Sequence, residues 1–135
     1  MPTARLVPEL LIQDLRASLT FWRDLLGFTI AYERPAEGFV FLELEGIAFM
    51  LAEGGKSKRT WVTGLLEPPL GRGINFEITV STSYAPILDR LREAQWPLYL
   101  EPEVKWYKVG DLQQGVRQFL VQDPDGYLLR IAEPL

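Results

Sequence analysis

The sequence contains no histidine and no cysteine. Without cysteine there is no disulfide, no thiolate nucleophile and no zinc–sulfur site. Without histidine the commonest metal ligand and the usual general base are both missing. No apolar run approaches the roughly 18 residues a helix needs to cross a membrane. The N-terminal stretch MPTARLVPEL lacks the apolar block and small-residue cleavage site of a secretory signal. A cytoplasmic location with no membrane partner is the expectation. Basic charge is also short: 14 Lys and Arg against 18 Asp and Glu leave a net charge of −4. That balance disfavours a nucleic-acid partner, which needs a basic face, and is compatible with a cationic small molecule.

What is present suits one ordinary globular domain. The chain has 135 residues, 47% of them hydrophobic and 24% charged, a length that buries a sizeable core. Asp14 is a natural N-cap, and Leu15, Leu19, Trp22, Leu25 and Leu26 fall on one helical stripe before Gly27. The pattern predicts a helix over residues 14–26. Short β-prone runs precede and follow it at 6–12, 28–34, 39–45 and 47–53, punctuated by Pro35, Gly38 and Gly46. Residues 54–72 are rich in Gly, Pro and Lys/Arg and have no period, so they read as a linker. Then the order restarts. A strand at 74–80 leads to a helix over 82–94, capped by Ser83 with stripe Tyr84, Ile87, Leu88 and Leu91. Strands follow at 97–106, 117–122 and 127–133, the last two joined by the DPDG turn at 123–126.

The two halves, about 5–53 and 73–135, match at an offset of 68, with residues 12–14 over 80–82. The layout is βαβββ twice, an α+β domain built from two modules. Each sheet then has one helix-covered face and one open face. Alternation places Val7, Glu9, Leu11, Phe39, Phe41, Glu43, Ala48, Met50 and Ala52 on the first open face. It places Asn75, Glu77, Thr79, Leu128, Arg130 and Ala132 on the second. The open faces are aromatic and acidic with one arginine. Large apolar faces of this kind point to a homodimer.

The pieces LLIQDLRASLTFWRDLLGF (10–28), GINFEITV (73–80) and FLVQDPDGYLLRIAE (119–133), set in this duplicated layout, resemble the vicinal oxygen chelate superfamily. That superfamily includes glyoxalase I, ring-cleaving dioxygenases and the bleomycin-resistance proteins. The resemblance implies the glyoxalase/bleomycin-resistance fold. It also implies a divalent metal held by four His or Glu side chains, at positions that fall here on Val7, Met50, Asn75 and Arg130. None of these residue types suits a hard divalent ion. The expectation is therefore no metal and no cofactor.

Among its branches the chain is most similar to the bleomycin-resistance proteins, which share the VP pair seen here as Val7-Pro8. The resemblance implies sequestration of a large cationic antibiotic in aromatic grooves of a dimer. Family members often carry Trp-Gly in the loop before the seventh strand, where this chain has Gln114-Gly115. The candidate ligand-binding residues are Phe39, Phe41, Glu43, Trp61, Glu77, Trp106, Tyr107 and Arg130. Trp61 and Trp106 serve ligand stacking or dimer packing equally well. Arg130 either neutralises Glu77 or meets an anionic ligand group. A superfamily enzyme with a displaced carboxylate site at Glu9, Glu77 or Glu101 stays open as the alternative.

Overall fold

A computed structural model describes residues 3–135. The chain forms two compact units, one ending at Leu70 and the other spanning Gly71–Leu135. The first holds β1 (Glu9–Ile12), α1 (Leu15–Leu19), β2 (Thr29–Arg34), β3 (Phe39–Leu44) and β4 (Ile47–Glu53). The second holds β5 (Asn75–Thr79), α2 (Ala85–Glu93), β6 (Leu100–Val109), β7 (Leu112–Gln122) and β8 (Leu128–Pro134). Strand order is β1-β4-β3-β2 in one sheet and β5-β8-β7-β6 in the other. In both, the first strand pairs parallel with the last, and the remaining pairs are antiparallel. The duplicated βαβββ layout is thus observed.

In the first unit the Asp14 carboxylate accepts from the amides of Arg16 and Ala17, as an N-cap should. The helix then departs from the expected stripe. Residues Thr20–Leu25 form a π-helical turn, with Leu26 N–H bonding Phe21 O at 3.0 Å. At its start the Thr20 hydroxyl donates to Arg16 O, a side-chain bond that competes with regular helix geometry. The wider turn swings Phe21 as well as Trp22 into the core, both 0% exposed, while Leu19 and Leu25 are only half-buried. Trp22 packs on Phe28 and Phe49 at centroid distances of 5.4 and 4.8 Å.

In the second unit Ile87, Leu88 and Leu91 are buried by α2 against a sheet face carrying Ile78, Phe119, Val121, Leu129 and Ile131. The helix is shorter than 82–94: Tyr84 is the cap residue, and the Ser83 hydroxyl accepts from Ala85 N–H just ahead of it. Ile74, expected in the strand and on the core face, precedes β5 and is exposed. The largest difference is the β6–β7 hairpin. Residues 107–116, outside the expected strands, continue them to a turn after Val109, pairing from Tyr107 opposite Gln114 to Val109 opposite Leu112. DPDG is structural: Asp123 is buried, and its carboxylate accepts from Asp125 and Tyr127 N–H at 2.9 Å each.

Candidate functional site

The face of the first sheet expected to be open is a covered apolar cluster. Phe39, Phe41, Ala48 and Ala52 form its buried centre, with Ala4, Val7, Leu11 and Met50 packed against it. A bulge between Ile30 and Tyr32 inserts one residue into β2 and puts Tyr32 opposite Phe41. Their rings stack at 5.0 Å. The Arg34 guanidinium lies 4.0 Å from the Phe39 ring centroid, and its Nε bonds Glu37 at 3.2 Å. Glu9 and Glu43 share this face by register and make no ion pair among the described residues. Beside it a cleft of about 270 Å³ is lined by Glu9, Arg34, Phe39, Arg59, Thr60 and Trp61 among others. Trp61 is 70% exposed, with the Arg59 guanidinium 5.2 Å from its ring.

The open face of the second sheet is polar. Glu77 stands opposite Arg130 in the parallel β5–β8 pair, and they form an ion pair at 3.5 Å. On β7, one row along, Gln118 is 3% exposed. Its Nε2 donates to Glu103 Oε2 and Tyr107 Oη, both at 2.8 Å. Gln118 Oε1 and Arg130 Nε are buried with no hydrogen-bond partner.

The eight candidate residues therefore divide. Phe39, Phe41 and Glu43 lie on one open face, with Trp61 joining Phe39 at the cleft. Glu77, Arg130 and Tyr107 lie on the other. Trp106 does not join Tyr107: neighbours in a strand point to opposite faces, and Trp106 lies against Gly115, its cross-strand partner. An added Cβ at Gly115 would meet the Trp106 ring at 2.9 Å, so glycine is what lets the indole lie flat there. Sequence reasoning missed Tyr32 and Arg34, which depend on the bulge. It also missed Glu103 and Gln118, which lie inside the expected strands but meet only through the β6–β7 register.

The sequence profile of the Glyoxalase/Bleomycin resistance protein/Dioxygenase superfamily matches residues 5–131. The chain belongs to this superfamily. A superfamily member from Vibrio splendidus is 40% identical, with 98% of this chain and 100% of that chain covered and a TM-score of 0.43. A Nocardioides glyoxalase/bleomycin resistance protein/dioxygenase is 26% identical, covering 100% of this chain and 85% of its own, with a TM-score of 0.66. Lactoylglutathione lyase from Agrobacterium tumefaciens, at 18% identity, coverage of 98% and 96% and a TM-score of 0.61, shares the fold. No curated protein matches the sequence.

The superfamily's metal does not fit the donor set present. Val7 and Met50 belong to the apolar cluster, and Arg130 brings a fixed positive charge engaged with Glu77. A guanidinium cannot ligate a cation and repels one. No group of three or more Asp or Glu among the described residues is arranged to hold a metal. No helix among them is long and apolar enough to cross a membrane.

Proposed function

We propose that this superfamily member binds and sequesters an amphipathic, cationic small molecule of the bleomycin type, without a metal and without turnover. The observation that supports this reading is the cleft in the first unit. It combines an exposed indole, an aromatic floor at Phe39 and the unpaired Glu9 carboxylate. A flat cationic ring stacks on Trp61 with its charge toward Glu9. At about 270 Å³ the cleft takes one ring system, not a whole antibiotic. The protein works in this reading as a homodimer. Trp61, Val62, Leu65 and Leu66 form an exposed apolar run at 70, 53, 86 and 49% exposure, which a monomer rarely leaves to water.

Arg59 makes the reading testable in sign. Its guanidinium already lies on Trp61, so a cationic ring must displace it. Calorimetry with a cationic bithiazole probe then gives tighter binding for Arg59→Ala. Trp61→Ala weakens binding about tenfold, the loss of one stacking contact. Weaker binding in Arg59→Ala means that Arg59 holds the probe instead of blocking it, and ends the cationic assignment. No heat up to millimolar probe ends the drug-binding reading altogether. Light scattering at one chain's mass would remove the dimer.

A further inference from the structure

The second unit carries a different set of unsatisfied groups, independent of the cleft. Gln118 cannot be turned to relieve them. Its amide nitrogen faces the Glu103 carboxylate, which only accepts, so the oxygen must point away. That oxygen is then a buried acceptor without a donor, and Arg130 Nε–H is a buried donor without an acceptor. Buried polar atoms are almost always paired, so two orphans of opposite kind on one face need explaining. They are neighbours: Gln118 is opposite Ala132 and Arg130 is opposite Leu120, which sets them diagonally on adjacent strands. Diagonal positions lie about 7–8 Å apart. Two hydrogen bonds and one amide group span on the order of 8 Å.

We infer that this face is a metal-free recognition site for a neutral carboxamide. The ligand carbonyl accepts from Arg130 Nε–H, and its N–H donates to Gln118 Oε1. Charge selects against the alternatives. Lys105 shares the face by register and offsets one carboxylate, so the selection is local: a carboxylate is repelled by the lone pairs of Gln118 Oε1 and by Glu103 beside it. An ammonium satisfies Gln118 but leaves Arg130 Nε unmet. Arg130 is 28% exposed at its side chain while Nε and Gln118 Oε1 are themselves buried, so the ligand enters as the two side chains move apart. The position where the superfamily expects a metal ligand thus serves as a hydrogen-bond donor.

The test uses the full chain, labelled for nuclear magnetic resonance, with nicotinamide and nicotinate as matched probes at tens of millimolar. Nicotinamide should move the backbone amides of 117–121 and 128–132 and the Arg130 Nε–H resonance. Nicotinate should bind at least about fivefold more weakly, the loss of one hydrogen bond with added repulsion. Arg130→Lys keeps the charge beside Glu77 but moves the donor, and should weaken nicotinamide about fivefold. Gln118→Met keeps the volume and should abolish the preference for the amide. Equal or tighter nicotinate binding overturns the inference, as does an Arg130→Lys variant that binds unchanged. No movement in these strands with either probe also overturns it, because the orphans then hold only buried water. Movement of the Trp61 indole reports the cleft separately, so the two readings fail independently.

Discussion

The two modules repeat a backbone but not a surface. Glu9 stands opposite Met50 in the first sheet, and Glu77, 68 residues on, stands opposite Arg130 in the second. One parallel strand pair therefore carries a carboxylate beside a thioether within an apolar cluster. The other carries a carboxylate beside a guanidinium within a polar face. Elsewhere the repeat is close. Glu53 at the end of β4 accepts from Leu15 N–H at 3.1 Å, and Glu133 near the end of β8 accepts from Tyr84 N–H at 3.4 Å. In each module the closing strand satisfies an orphan amide at its helix N-terminus. What differs is which side chains each of these faces carries, which argues that the faces are where the modules have specialised.

The sharpest way to break the symmetry is through the cores. Trp22 and Phe119 are each 0% exposed in their own modules. Replacing either with Ala should cost about 3–5 kcal/mol, read by urea denaturation. If Trp22→Ala costs much less, the π-helical turn has room to collapse and the first core is looser than the second.

Next come the two equivalent hairpin turns. β3 and β4 are joined through Glu45 and Gly46, with φ of 50° and 84°, a backbone solution. β7 and β8 are joined by the Asp123 side-chain bonds. Asp123→Ala should cost about 1–3 kcal/mol, because it orphans two buried donors. Glu45→Asn should stabilise by a few tenths of a kcal/mol, since Asn tolerates positive φ. Thermal melts that rank the two changes the other way would contradict this division.

The ion pair is a smaller effect. Glu77→Ala should cost roughly 0–1 kcal/mol, because both side chains are partly solvated. Glu9→Ala should cost nothing measurable. A double-mutant cycle with Arg130→Met should give a coupling within that range for Glu77 and none for Glu9.

The smallest difference is in pH. Burial among the side chains of the second core, reinforced by Glu133, raises the Tyr84 phenol above its ordinary value. A group with a raised folded pKa stabilises fully below its unfolded pKa and loses that contribution as pH rises through the folded one. The second module should therefore weaken above about pH 10. Tyr84→Phe should flatten that alkaline slope. A slope unchanged in Tyr84→Phe would assign it to other groups.

Much of this was legible in the sequence. The open-face residues Phe39, Phe41, Ala48 and Ala52 followed from alternation alone, because strand side chains have a period of two. Asp14 and Gly27 marked the ends of the first helix, and the repeat followed from layout. The π turn was not legible, because the residues 20–25 read equally well at an ordinary helical period. The bulge at Ala31 was not legible either, because nothing local in TIAYER marks an extra residue.

By itself the sequence determined the two βαβββ modules, the faces of β1, β3, β4, β5 and β8 and the poverty of metal donors, since each depends on local periodicity or on residue type. Only the tertiary structure decided which polar groups meet. Glu53 and Glu133 reach helix amides across 38 and 49 residues, and Gln118 finds Glu103 across 15. Contacts of that range are fixed by strand register and bulges, one residue of which reverses every side chain that follows.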